Sequence, residues 1–97
     1  MNMQAIMKQA QTLQKEMMKT KEEIDNTEFV GNNSFVTVVT NGKKEIKKIK
    51  IETEKLEKED IEILEDMIMV AVNNAFKSVD KLTEEKMGKY ANIPGLF

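Results

Sequence analysis

SFVTVVTNGKKEIKKIKIE, residues 34–52, sets two β-branched runs on either side of Asn41-Gly42. Val36, Val38 and Val39, with Thr37 and Thr40 between and after them, suit a pleated strand that is covered on at least one face. Asn-Gly between two such runs is the strongest short-range hairpin signal, because both central residues of a type I′ turn need positive φ. The return strand, Glu45 to Glu52, places Ile46 on one face and Ile49 and Ile51 on the other. Either both faces are partly covered or a bulge lies near Lys47 and Lys48; we favour coverage of both faces. Upstream, Phe29-Val30-Gly31 starts the sheet, and Asn32-Asn33 makes a turn into the run at Ser34.

Helical periodicity flanks this sheet on both sides. Met3, Ile6, Ala10, Leu13, Met17 and Ile24, with Thr20 as the one polar member, follow alternating steps of three and four residues, a heptad seam. A helix from Asn2 to about Asp25 would be roughly 36 Å long, more than a narrow stripe on a small domain can cover, so part of it should project or pair. After the charged connection Lys55–Asp60, whose Leu56 is expected to tuck under the sheet edge, helical spacing resumes at Ile61. Glu57, Glu59, Asp60 and Glu62 sit where the helix dipole favours anions. Met67-Ile68-Met69-Val70-Ala71-Val72 is apolar all round, which calls for burial on more than one side. Gly88 is the expected stop, and Ile93-Pro94-Gly95-Leu96-Phe97 is a non-helical apolar tail that invites docking.

Composition narrows the function. The 97 residues contain no Cys and no His, which removes disulfides, the usual zinc ligands, thiol nucleophiles and the imidazole base. Carboxylates occur in surface runs without an adjoining pocket, and the glycines are scattered rather than set in a phosphate-cradling loop. We therefore expect no catalysis, no cofactor, no metal and no small-molecule substrate. A chain this short buries only a little over ~60% of its unfolded surface alone, so a second copy is the expected source of further burial. No apolar run approaches the ~20 residues needed to cross a bilayer, and a soluble cytoplasmic protein is expected. Net charge is −2, and every basic residue is lysine. Without arginine forks to read guanine edges, any contact with nucleic acid should be to phosphates, from local clusters.

Several segments, in order, resemble the YbaB/EbfC family of bacterial nucleoid-associated proteins. They are Met7-Lys8-Gln9-Ala10-Gln11, Val38-Val39-Thr40-Asn41-Gly42, Lys50-Ile51-Glu52, Leu64-Glu65-Asp66-Met67-Ile68 with Ala71-Val72-Asn73-Asn74-Ala75, Lys86-Met87-Gly88-Lys89 and Pro94-Gly95-Leu96-Phe97. The resemblance implies one α+β domain over residues 1–97: a helix (2–25), a three-stranded antiparallel sheet (28–52), a second long helix (58–87) and a tail (88–97). It also implies a tweezer-like homodimer that binds double-stranded DNA with weak sequence preference in the nucleoid. The chain departs from the family pattern in having Asn32-Asn33 where a Gly-rich turn is usual, and in the short spacer Lys89-Tyr90-Ala91-Asn92 before the terminal motif.

The expected DNA contacts are Lys8, Gln11, Lys15 and Lys19 on the first helix and Lys77, Lys81, Lys86 and Lys89 on the second. Lys8 and Lys15 lie seven apart, opposite the seam, and Lys19 is one turn beyond, which makes a basic stripe. The expected dimer interface comprises Val36, Val38, Ile49, Ile51, Met67, Ile68, Val70 and Ala71. Lys43, Lys44, Lys47, Lys48 and Lys50 form the densest basic cluster, which we assign to guarding the sheet edge against aggregation rather than to DNA. The rival function is a protein-interaction module that docks its seam and tail onto DNA replication or recombination proteins.

Overall fold

A computed structural model describes residues 2–91. The first helix, α1 (Met3–Asp25), starts where Asn2, in extended backbone, accepts hydrogen bonds on its side-chain oxygen from the N–H groups of Gln4 (3.1 Å) and Ala5 (3.3 Å). Two of the orphan donors of a helix start are thereby satisfied. At its other end Asn26 N–H donates to Glu22 O at 3.1 Å, and the Thr27 hydroxyl donates to Glu23 O at 2.6 Å. Three antiparallel strands follow in the order β1 (Phe29–Asn33), β2 (Val36–Thr40), β3 (Ile46–Ile51). The second helix, α2 (Ile61–Met87), is entered through a 3₁₀ turn, Lys58–Asp60, where Asp60 Oδ2 accepts from Glu57 N–H at 2.9 Å. It leaves through a second 3₁₀ turn, Gly88–Tyr90, and Gly88 keeps right-handed φ (−57°), so the helix stops there without a left-handed cap. The expected docking of Ile93–Phe97 lies outside the described residues.

Both hairpin expectations need correction. Asn33 pairs with Val36, so the first loop is Ser34-Phe35 rather than Asn32-Asn33. Ser34 alone takes positive φ (52°), the pattern of a type II′ turn. Asn32 stays in β1, where its carbonyl accepts from the Asn74 side-chain amide at 3.2 Å. At the second loop the positive φ falls on Lys44 (61°), not on Asn41, so no type I′ turn forms. Asn41 instead organises a longer loop. Its side-chain oxygen accepts from Lys43 N–H (2.9 Å) and Glu45 N–H (3.0 Å), its amide donates to Glu45 Oε1 (2.7 Å), and its carbonyl accepts from Lys44 N–H (3.0 Å). Gly42 is required for closeness: a Cβ there would lie 2.1 Å from Ile24 O, and its N–H donates to Asp25 O at 3.3 Å. The hairpin tip is thus tied to the end of α1.

The β2–β3 register runs Val39 to Lys48 and then Thr40 to Ile46, which leaves Lys47 as an extra residue. This bulge, the alternative we did not favour, solves the alternation of the return strand. Ile46, Ile49 and Ile51 all come to the face that carries Thr40, Val38 and Val36. On that face α2 packs over β1 and β2, with its backbone pressed onto Gly31, where a Cβ would lie 2.0 Å from Ala71 O and 2.5 Å from Ala75 N. Val36, Val38, Ala71 and Ala75 are fully buried there, with Leu64, Met67, Ile68 and Val72 around them. Burial is worth about 1.5–3 kcal/mol for each valine. A second cluster, Ile24, Phe29 and Val79 with Leu82 and Met87, joins α1 to α2. Leu56, expected under the sheet edge, is instead exposed.

The chain is an open body of 72 × 19 × 14 Å. Its radius of gyration is 19.6 Å, against ~13 Å for a compact domain of this length. Its accessible surface is 7522 Å², roughly 1,800 Å² above that of a compact monomer of equal mass. α1 accounts for much of the extension: Leu13, Met17 and Thr20 are half-buried and Ile24 is buried, whereas Met3, Ile6, Met7 and Ala10 are exposed.

Candidate nucleic-acid interface

Lys8, Gln11, Lys15 and Lys19 are all exposed on the face of α1 turned away from α2. At 1.5 Å per residue Lys8 and Lys15 stand about 10 Å apart along the axis, with Lys19 about 6 Å further. Among the described residues the ion pairs are Lys21–Asp25, Lys44–Asp80, Lys50–Glu52 and Lys55–Glu57, so the three stripe lysines have no carboxylate partner. From Asn2 to Lys19 the only acid is Glu16; beyond it Glu22, Glu23 and Asp25 reverse the local sign. Lys8, Lys15 and Lys19 thus share one exposed face of α1 with a single acid, Glu16, between them in sequence. An ammonium in water is a point charge without fixed direction, suited to phosphate oxygens and poorly suited to base edges.

The second-helix lysines do not make a matching stripe. Lys77 and Lys81 share one outer face, but Lys86 lies roughly 140° round the helix from Lys81. Asp80, Glu84 and Glu85 interrupt them, and Lys89 Nζ sits 5.1 Å from the Tyr90 ring centroid. All four are exposed, and only Lys77 and Lys81 are brought together.

The hairpin lysines divide between tasks. Lys44 Nζ bridges to Asp80 Oδ1 at 2.8 Å and lies 5.8 Å from the Phe76 ring, so it clamps the tip to α2. Lys48 and Lys50 pair with Val39 and Thr37, on the face opposite α2, and Lys47 occupies the bulge. Glu45, between them, has its carboxyl held below the usual range, chiefly by the hydrogen bond from the Asn41 amide and then by Lys47 and Lys43.

Of the residues expected to join two copies, Val36, Val38 and Ala71 are wholly covered within their own chain and have no surface left to offer. Ile49 and Ile51 are 44% and 38% exposed, Val70 is exposed, and Met67 and Ile68 are half-buried. Sequence spacing missed Ile46, which the bulge adds to the open isoleucine row of β3, and Ile63, which with Met67 and Val70 follows one flank of α2 at helical spacing. The signal for Ile46 was the broken alternation itself. Among the described residues no cluster of acidic side chains could hold a metal, and no helix is long and apolar enough to cross a membrane.

The fold is shared with a solved structure, and the sequence with named relatives. A crystal structure of an uncharacterized protein from Helicobacter pylori has the same fold, with a TM-score of 0.75 at 21% identity, covering 95% of this chain and 99% of that one. A nucleoid-associated protein of Lactococcus lactis subsp. cremoris is 47% identical over 92 residues, 93% of either chain. One of Clostridium kluyveri is 45% identical over 101 aligned positions, 99% of this chain and 89% of the relative. Residues 1–93 match the YbaB/EbfC DNA-binding family, and the chain belongs to it.

Proposed function

We propose that this protein is a homodimeric, nucleoid-associated binder of double-stranded DNA, and that the outer face of α1 lays Lys8, Lys15 and Lys19 along the phosphates. The observation that carries the proposal is the unpaired lysine stripe on a helix face that nothing else in the described chain covers. Family membership supplies DNA as the ligand, and the relatives' names support residence in the nucleoid. Weak sequence preference follows from a contact surface of lysine and Gln11 without arginine. Dimerisation is supported by the excess of exposed surface and by the open row Ile46, Ile49 and Ile51, since obligate dimers bury 2,000 Å² or more in total, to use a rough lower bound.

The test is fluorescence anisotropy with unrelated duplexes across a salt series. If two arms each contribute three lysines, about six phosphates are neutralised and the slope of log K against log salt is about −5. Replacing Lys8, Lys15 and Lys19 together with Glu should abolish binding while leaving the helical circular dichroism intact. Unchanged affinity and slope in that variant would overturn the assignment and favour the rival module docking on replication or recombination proteins. Sedimentation should give a dimer, which Ile49→Asp weakens.

A further inference from the structure

The β2–β3 tip touches both long helices at once. On the α1 side the Gly42 N–H donates to Asp25 O at 3.3 Å, and the tip backbone lies so close that a Cβ on Gly42 would meet Ile24 O at 2.1 Å. On the α2 side Lys44 Nζ meets Asp80 Oδ1 at 2.8 Å and stands 5.8 Å from the Phe76 ring centroid. Between these two ties the loop is held by its own bonds: the hydroxyl of the fully buried Thr40 donates to Glu45 O at 2.9 Å, and Asn41 accepts from the N–H groups of Lys43, Lys44 and Glu45. Lys44 sits at φ 61°, a conformation that costs a residue with a Cβ and persists only where the surroundings enforce it. Glycine would take that backbone more easily, but it would bring no side chain to α2.

We propose that this tip is a brace that fixes the direction of α1, and that Lys44 and Asp80 are positioning residues for DNA binding, acting through Lys8, Lys15 and Lys19 and not by touching phosphate. The inference rests on the reading of α1 as the helix that contacts DNA. The brace grips α1 at its last turn, where Ile24 is buried; Leu13, Met17 and Thr20 are only half-buried, and Met3 to Ala10 are exposed. Lys8 lies sixteen residues from Ile24, about 24 Å along the axis. A tilt of about 10° at Ile24 therefore carries Lys8 roughly 4 Å sideways, as far as the whole N···O span of an ion pair. An exposed ion pair shifts an equilibrium by up to about fivefold, and a dimer has two such braces. Loosening both lowers the fraction of correctly aimed helices, and the apparent affinity with it.

Asp80→Asn separates positioning from charge by sign. Removing a carboxylate from between Lys77 and Lys81 should tighten duplex binding if charge alone matters, whereas a loosened brace should weaken it roughly fivefold in anisotropy at an unchanged salt slope, because no phosphate contact is lost. Lys44→Gln should do the same, and the exchanged pair, Lys44→Asp with Asp80→Lys, should restore affinity. The helix direction is read directly by spin labels on Gln4→Cys and Asn73→Cys, both exposed sites in a chain without other cysteine, diluted with unlabelled chain so that only pairs within one chain count. Asp80→Asn should broaden the distance distribution, and the exchanged pair should narrow it again. Because the label measurement uses no DNA, a native chain that bound no duplex would overturn the DNA reading and the positioning role together, while the distance distribution would still decide whether the tip braces α1. Equal or tighter binding by Asp80→Asn, an unchanged distance distribution, or an exchanged pair as loose as Asp80→Asn would each overturn the proposal. So would a slope shallower by about 2 in Lys44→Gln, since one lost phosphate per chain would make Lys44 a direct contact.

Discussion

Replacing Gly31 with alanine tests the close approach of α2 to the sheet. The added Cβ would meet Ala71 O at 2.0 Å, Ala75 N at 2.5 Å and Ala75 Cβ at 3.0 Å. Ordinary contact begins at 3.4 Å, so the helix must retreat by about 1.4 Å along the worst approach. The first two atoms are backbone of a helix whose neighbouring turns already cover Val36 and Val38, so no flexible side chain can yield. Overpacking costs about 1–3 kcal/mol, and rigid opponents place this site at the top of that range. The unfolded chain loses some freedom on gaining a Cβ, which returns about 0.4–1 kcal/mol. The net loss is about 2 kcal/mol, or a fall in Tm of roughly 10–15 °C for a domain of this size. Gly88→Ala is the matched control. Gly88 has right-handed φ and no atom within 4 Å of the added Cβ, so the same change there should stabilise by about 0.4–1 kcal/mol. Thermal unfolding at one fixed protein concentration reads both, because association shifts Tm. A Gly31→Ala protein melting within about 2 °C of its parent would refute the helix-on-glycine packing.

Two smaller predictions concern the hairpins. Ser34→Gly should raise stability by a few tenths to about 1 kcal/mol in urea titration, because the positive φ of 52° burdens a residue with a Cβ more than it burdens glycine. In an NMR titration Glu45 should protonate below the ordinary glutamate range, and Asn41→Ala should move its midpoint upward. The sign follows from the lowered folded-state pKa: the contribution is present above the unfolded value and is lost as pH falls through the folded one. A Glu45 midpoint at or above the ordinary range would remove the Asn41 hydrogen bond from the account of the tip.

Local rules reached far along this chain. The first helix from about Asn2, the seven-residue step from Lys8 to Lys15, the hairpin around Asn41 and the stop at Gly88 depend on propensities and spacings that reach only a few residues, and they were legible in order. The same locality explains the errors. Asn-Gly suggested a type I′ turn, yet Gly42 answers to the carbonyl of Ile24, eighteen positions away in sequence. Nothing at that range can be heard in a dipeptide.

What the sequence by itself determined was the family, the two helices with their seam, the three strands and the place of Lys8, Lys15 and Lys19 on one face of α1. Tertiary structure alone decided that Lys47 is the bulge, that Ile46 thereby joins Ile49 and Ile51 on one open face, and that Val36, Val38 and Ala71 are core rather than surface. The reason is physical. An apolar residue at the right period announces that it will be covered, but the covering partner, its own helix or a second molecule, depends on how far the backbones approach. Here that distance is set by the missing side chain of Gly31.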